Sequence, residues 1–518
     1  MRSRLDLAIK FTVYTLSFVA LCVLAFLYLA GFFDNLSFEN PGLDLAYRVF
    51  MIVFRLNIIW VVLLILLENS NPAKTLAWVG VLVLLPVIGF FLYIWFGRSF
   101  RKKRRADIKA RKHSDRMEKA ASYQLELLNL SDIESPTTER LMNLLLRSAN
   151  APYSDNNQVT VISDGAEKFE ALFQAIEQAE HHIHLEYYIL RDDEIGNRLA
   201  DRLVRKAEQG VEVRIVFDDV GSIMLSHAYR RKLQEAGVEL YPFFEVLFPA
   251  LSRDLNYRNH RKIAIVDGKI GFIGGFNVGD EYLGKSKRFG YWRDTHLMIR
   301  GEAVLSLQSI FLDDWNYVAK QNLTGSAYFP KIDDCGNCMV QVVASGPDYR
   351  WKSMHHAFHK LIADAKEKLW ITSPYLVPDE SISMALKVAA LSGVDVRIII
   401  PKNPDHFFVY WSGQSNIQEL LEAGVRIYAY GKGFVHSKVM ICDRSIATVG
   451  TANLDMRSME INFEVNAFVY DEDVILRLEQ DFHEDLKVCE KYDLEIFRRR
   501  GIDRRFLEAI GRIVSPLQ

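Results

Sequence analysis

The most constraining feature of this 518-residue chain is a pattern that it writes twice. The first copy reads His260-Arg-Lys262-Ile-Ala-Ile-Val-Asp267, then six residues, then Gly274-Gly-Phe-Asn277. The second reads His436-Ser-Lys438-Val-Met-Ile-Cys-Asp443, then six residues, then Gly450-Thr-Ala-Asn453. Upstream, Gly210-Val-Glu-Val-Arg-Ile215 returns as Gly393-Val-Asp-Val-Arg-Ile398, and Leu233-Gln-Glu-Ala-Gly-Val238 as Leu420-Leu-Glu-Ala-Gly-Val425. A period of about 180 residues is far too long for a solenoid, so the chain is read as two duplicated domains. In each copy a helical pattern (Glu167–Ala179, Trp351–Ala365) precedes an apolar strand-like run (Ile183–Leu190, Leu369–Val377). Alternation of this kind predicts α/β units around a largely parallel sheet.

The repeated pattern carries chemistry. His and Lys at i, i+2 of an apolar strand share one face and point at one target. Lysine offers a point charge to phosphate oxygens, and histidine serves as nucleophile or proton carrier, so the pair suits a phosphoryl group. Past each Asn an acid lies on a strand, Asp294 in Tyr-Trp-Arg-Asp-Thr and Glu464 in Asn-Phe-Glu-Val, where it can orient a histidine. Other signals are discounted. His182 and His184 read as a polar strand edge. His355 and His359 lack the His-Glu-x-x-His frame of a zinc helix, and Cys335 and Cys338 form one CxxC without a second pair. No metal site and no cofactor are expected.

The N-terminal region differs in kind. Phe11–Phe33 and Thr75–Gly97 are uncharged runs of 23 residues, each long enough to cross a hydrocarbon core of about 30 Å. Val49–Leu67 is a weaker run with Arg55 near its start. Three spans are expected, 11–33, 49–67 and 75–97, with two as the alternative. Between Arg98 and Lys112 nine Lys/Arg stand against one acid, which places that end and everything after it on the cytoplasmic side. Residues 1–112 carry a net charge of +9 and the remainder −11, which speaks against nucleic acid as the partner of the soluble part. The expected domains are a membrane region (1–97), a basic collar (98–120), a first lobe (121–320), a linker (321–337) and a second lobe (338–518).

The double motif resembles the HKD signature of the phospholipase D superfamily. The spans, the collar and the two lobes together resemble the bacterial cardiolipin synthases, as do Val342-Val-Ala-Ser-Gly-Pro347, Asn256-Tyr-Arg-Asn-His260 and Glu186-Tyr-Tyr188. The resemblance implies N-terminal transmembrane helices followed by two phospholipase D-like α/β/α lobes, each a mixed sheet sandwiched by helices, sharing one active site in a multi-pass protein of the bacterial cell membrane. It implies a metal-free transfer that joins two phosphatidylglycerol molecules into cardiolipin and glycerol through a phosphohistidine, with the bilayer and phosphatidylglycerol as partners. Hydrolysis, or phosphatidyl transfer to another alcohol, stays open because acceptor choice lies in pocket shape. His260 would be the nucleophile and His436 the acid/base. Lys262, Lys438, Asn277 and Asn453 would cradle the phosphoryl oxygens, while Asp267 and Asp443 complete the motifs, as catalytic groups or as turn formers. The loop before His260 is 11 residues longer than its counterpart and holds Phe243, Phe244 and Phe248, followed by Arg253 and Arg258. It is expected to face the bilayer, with an arginine near a lipid phosphate.

Overall fold

The computed structural model describes residues 115–128, 135–245 and 257–514, with scattered positions between 40 and 93. The expected spans 11–33, 49–67 and 75–97 and the collar lie largely outside the described residues. Among those described, no helix is long and apolar enough to cross a membrane. The described positions between 41 and 93 are helical, and the rings of Trp78 and Tyr93 meet edge to face at 5.4 Å.

The duplicated sequence folds as two sheets of the same topology. The first lobe contains β1 (Asn157–Ile162), β2 (His182–Tyr187), β3 (Glu212–Asp218), β4 (Glu239–Phe243), β5 (Ile263–Val266), β6 (Ile270–Gly274) and β7 (His296–Gly301) in the order β1-β7-β6-β5-β2-β3-β4. The second contains β8 (Val340–Ser345), β9 (Lys368–Thr372), β10 (Asp395–Pro401), β11 (Arg426–Tyr430), β12 (Val439–Cys442), β13 (Ile446–Gly450) and β14 (Glu464–Val469). Its inner order, β8-β14-β13-β12-β9-β10-β11, matches the first strand for strand, and Tyr153–Ser154 and Cys489–Lys491 add a short strand at each edge to make nine. Strands β2, β3 and β4 run parallel, as helical crossovers require, and β5 joins them antiparallel. The sheet is therefore mixed.

Three apolar layers hold the lobes. One core packs the outer face of the first sheet and another that of the second. The third is shared: Ile263, Ile265 and Leu297 of the first sheet join Val342, Ile441 and Val465 of the second around the helices Ala303–Ala319 and Glu472–Leu486. At about 25 cal/mol per Å² of buried apolar surface, a core built from both lobes makes them one folding unit rather than two beads.

Two features depart from the expected boundaries. The helix Pro136–Ala149 turns Leu141 and Leu145 into the core of the second lobe, beside Val343, Phe358 and Leu361, and Tyr153–Ser154 extends the second sheet through Tyr153↔Gln341. The segment before β1 thus packs with the second lobe, because its amphipathic stripe meets an apolar face there. His182 and His184 are fully buried rather than at a polar edge. The Gln308 side chain satisfies both, with His182 Nε2 at 3.0 Å and His184 Nδ1 at 2.8 Å. Phe243 is buried against Phe463 at 5.0 Å and Phe244 packs on the same ring at 5.9 Å, so this part of the long loop faces the core and not a bilayer. Residues 246–256, with Phe248 and Arg253, lie outside the described residues.

Candidate active site

The two motifs meet through backbone pairing. The short strands Gly433–Val435 and Tyr291–Arg293 pair in parallel with Val435 opposite Arg293, so the next residues, His436 and Asp294, fall side by side. A Cβ on Gly433 would stand 2.0 Å from the Tyr291 carbonyl, so this approach requires glycine. The pseudo-equivalent bridge pairs Asn259 with Phe463 and sets His260 beside Glu464. Each histidine is consequently held by the carboxylate of the opposite lobe. His436 Nδ1 lies 2.7 Å from Asp294 Oδ2, and His260 Nδ1 lies 2.9 and 3.1 Å from the two Glu464 oxygens. The crossed pairing was invisible in the sequence, which offered two acids without saying which histidine each serves.

All four groups are buried. Lys262 Nζ donates to the His260 carbonyl at 2.7 Å and Lys438 Nζ to the His436 carbonyl at 2.5 Å, so each ammonium is tethered beneath its own histidine. Burial brings the Lys262 pKa down to about 7 and that of Lys438 to about 8, against the pull of Glu464 and Asp294. Burial also lowers both histidines to about 4, with the lysines adding to the shift and the carboxylates opposing it. Burial alone would raise the Glu464 carboxyl, but His260, Lys262 and Thr451 hold it below its usual range. At neutral pH each Nδ1–H therefore donates to a carboxylate, which leaves the Nε2 lone pair bare. A bare Nε2 is a nucleophile, and an anionic phosphodiester seated between the histidines would raise both toward protonation.

The remaining motif residues separate. Asn453 lines a cavity of about 320 Å³ that His260 also lines. Asn277 is engaged internally, accepting from the Ile189 amide at 3.0 Å and donating to the Tyr282 hydroxyl at 2.9 Å. Asp267 and Asp443 stand at the far ends of β5 and β12, about 20 Å along the chain from their histidines. Asp267 accepts from the amides of Glu180, His181 and His182 at 2.8–2.9 Å, and Asp443 from those of Lys366, Glu367 and Lys368 at 2.9–3.3 Å. The structure brings neither to the histidines. Each sits at positive φ (53° and 52°) and clamps its hairpin to the start of the neighbouring strand, a position that asparagine and aspartate tolerate.

Several residues at the site were not singled out from sequence. Thr451 Oγ1 donates to Glu464 at 2.6 Å and Asn462 Nδ2 at 3.2 Å. The counterpart of Thr451 is Gly275, where a Cβ would stand 1.9 Å from Asp294 Oδ1. The short carboxylate thus goes with glycine and the long one with threonine. This difference between the copies was the available signal. Tyr188 packs edge-on to His260 at 5.0 Å, whereas Trp292 and Phe434 flank His436 at 5.3 and 6.1 Å. Arg258, which the sequence already offered as an arginine near a lipid phosphate, also lines the cavity, with Tyr375, His406, Asp455 and Arg457 among the others. Among the described residues no group of three or more His, Cys, Asp or Glu is placed to hold a metal ion. His355 pairs with Asp379 at 2.8 Å, and Cys335 and Cys338 are free thiols.

The chain is similar to known proteins. The family described as cardiolipin synthase, PLD-like domain, matches residues 172–315 and 358–486. The chain belongs to this family. A phospholipase D-nuclease N-terminal family also matches residues 56–98. A cardiolipin synthase of Geobacillus kaustophilus is 47% identical over 474 residues, covering 90% of this chain and 94% of its own length. A cardiolipin synthase 2 of Bacillus anthracis is 46% identical over 465 residues, 88% of each chain. The crystal structure of a phosphatidylserine synthase from Haemophilus influenzae Rd KW20 matches with a TM-score of 0.56 at 14% identity, over 73% of this chain and 100% of its own. At that identity the likeness is one of fold.

Proposed function

We propose that the protein joins two phosphatidylglycerol molecules into cardiolipin and glycerol by two displacements at one phosphorus. The observation that carries this reading is the pair of crossed His–carboxylate contacts, which presents two bare Nε2 atoms above two buried ammonium groups. The cardiolipin synthases that match over nearly the whole chain name the reaction. His260 lines the cavity and is the nucleophile. Its Nε2 bonds to phosphorus as the bond to the headgroup oxygen breaks, and His436, which takes up a proton at Nε2 as the anionic phosphodiester binds beside it, gives that proton to the oxygen. The hydroxyl of a second phosphatidylglycerol then gives a proton to His436, its oxygen bonds to phosphorus, and the N–P bond breaks. Lys262 and Lys438, with Asn453, carry the charge on the phosphoryl oxygens. Glu464 and Asp294 hold the rings and balance their positive charge.

The chain is a multi-pass protein of the bacterial cell membrane, with 11–33, 49–67 and 75–97 as spans and the lobes on the cytoplasmic side. The uncharged runs and the basic collar support this. So do the exposed side chains of Leu45, Val49, Ile52, Ile59 and Leu63, which are all apolar.

The full chain incubated with phosphatidylglycerol alone should release cardiolipin and free glycerol; phosphatidic acid as the main product overturns the reading. His260→Ala should form no covalent lipid adduct, whereas His436→Ala should retain adduct formation from a substrate with a p-nitrophenol leaving group, which needs no proton. A phosphohistidine mapped to His436 would reverse the two roles.

A further inference from the structure

Cardiolipin carries two phosphates, and only one of them reacts. Resting on the two-lipid reaction above, the acceptor brings an intact phosphodiester to the site, one glycerol away from the attacking hydroxyl. With bond lengths near 1.5 Å, that places the second phosphate roughly 5 Å beyond the reacting oxygen. The His–Lys pairs are occupied by the first phosphate, so the second needs its own donors.

The cavity wall holds a one-sided set of them. Arg258 and Arg457 both line the cavity beside His260 and Tyr188. Counted from the motif histidines, Arg258 corresponds to Phe434; counted from the motif asparagines, Arg457 corresponds to Glu281, which pairs with Arg191 at 2.9 Å. Both guanidinium groups therefore lie on one side of a pseudo-twofold whose other side offers a phenyl ring and an acid. Burial lowers the Arg457 pKa, with Arg258 adding to the shift and Tyr188 and Asp455 opposing it. Arg258 Nη1 lies 3.7 Å from an Asp218 carboxylate oxygen, which holds the guanidinium group at the cavity wall. Acceptors stand in the same wall. The side-chain oxygens of Asn453 and Asn462 are buried and accept no hydrogen bond. The Asn462 amide is oriented by Nδ2 donating to Glu464 at 3.2 Å, so its oxygen is held away from that carboxylate. A phosphodiester has no donor to offer these oxygens, but a glycerol hydroxyl does.

We infer that Arg258 and Arg457 form a second phosphate subsite for the unreacted phosphate of the acceptor lipid, with the Asn453 and Asn462 oxygens placed to receive the glycerol hydroxyl that does not react. Free glycerol as acceptor needs the oxygens but not the arginines, and this separates the two functions.

The test uses the full chain on phosphatidylglycerol vesicles with radiolabelled glycerol, following cardiolipin formation and label exchange into phosphatidylglycerol together. Arg457→Gln should lower cardiolipin formation about 30-fold at subsaturating lipid, while exchange falls less than about 3-fold. Arg457→Lys should recover part of the loss. Asn462→Ala should lower both transfers relative to phosphatidic acid. Arg258→Gln should repeat the Arg457→Gln pattern, and if it fails to fold, Arg457→Gln decides alone. Parallel loss of cardiolipin formation and exchange in Arg457→Gln overturns the subsite. A wild-type chain that exchanges glycerol yet makes no cardiolipin overturns the two-lipid reading beneath it.

Discussion

Replacing Glu464 by glutamine keeps the shape of the site and removes one charge. In the wild type the carboxylate receives His260 Nδ1, Thr451 Oγ1 at 2.6 Å and Asn462 Nδ2 at 3.2 Å. When His260 Nε2 bonds to phosphorus the ring takes on a positive charge, and its Nδ1–H then faces an amide oxygen instead of a carboxylate. Hydrogen bonds to charged groups contribute about 1.5–3 kcal/mol and neutral ones about 0.5–1.5, so the difference is about 1–2 kcal/mol. That predicts a fall of about 5–30-fold in kcat. A second effect separates electrostatics from packing. The first transfer needs His260 neutral and His436, Lys262 and Lys438 protonated, so the rising limb of wild-type kcat/KM belongs to His260, lowered to about 4, and the falling limb to His436 together with Lys262 and Lys438, lowered to about 7 and 8. Glu464 raises both His260 and Lys262. Without it both pKa values drop, and both limbs move toward lower pH, so the loss is greater at pH 8 than at pH 6. Initial rates of cardiolipin formation across pH 4–9, with thermal unfolding as a folding control, test this. A uniform loss with both limbs unmoved would refute the electrostatic account and leave Glu464 a packing residue.

Three further outcomes are expected. Gly275→Ala puts a methyl group 1.9 Å from Asp294 Oδ1 and should displace the His436 support, lowering kcat by at least about 100-fold with the fold intact by circular dichroism; activity within about 3-fold of wild type would show that Asp294 can move without consequence. Asp267→Ala strands three backbone amides of residues 180–182 and should cost about 2–4 kcal/mol in urea unfolding while the rate per folded molecule stays within about 3-fold, whereas a loss of rate without loss of stability would make Asp267 catalytic. Phe407 and Phe408 are 58% and 57% exposed next to the cavity-lining His406 and Val409, and Ile223 and Met224 are likewise exposed after the corresponding strand of the first lobe. Phe407→Asp with Phe408→Asp should therefore lower activity on vesicles far more than on short-chain soluble lipid, and equal loss on both would remove the bilayer contact from the account.

Much of the site was legible because duplication repeats spacing, and spacing survives in sequence. His260 and Lys262 share a strand face whether or not the partner lobe is known, and the copies of the motif imply two equivalent sheets. What could not be read depends on register between distant segments. Asp294 serves His436 because Val435 stands opposite Arg293, a pairing across 142 residues that no local pattern announces. The same holds for His182 and His184, whose alternation reads as a polar edge until Gln308, on a helix more than 120 residues later, supplies a donor to one and an acceptor to the other. The helix Pro136–Ala149 is amphipathic in sequence, but an apolar stripe does not say which of two similar lobes it will cover.

The departures from twofold symmetry carry the division of labour. A symmetric duplicated site would make its two histidines interchangeable, and an enzyme that forms a covalent intermediate cannot use them so, since one must hold phosphorus while the other exchanges a proton. Around His260 the carboxylate is the longer Glu464, fixed by Thr451 and Asn462, which suits a ring that must stay in one orientation and bear charge for the lifetime of an intermediate. Around His436 the carboxylate is the shorter Asp294, with its Oδ1 bound to the Thr295 amide at 2.8 Å and room made by Gly275. Trp292 and Phe434 wall this ring, and apolar walls favour its neutral form between proton transfers. Exchanging these supports should therefore separate the roles. Thr451→Gly would loosen the His260 support without touching that of His436, and should slow adduct formation from a p-nitrophenol substrate. Asp294→Asn should spare that step and slow transfer from natural lipid, where the leaving oxygen needs a proton. Equal losses in both steps for both variants would mean that the two histidines share each task, and that the asymmetry of their surroundings has no part in the chemistry.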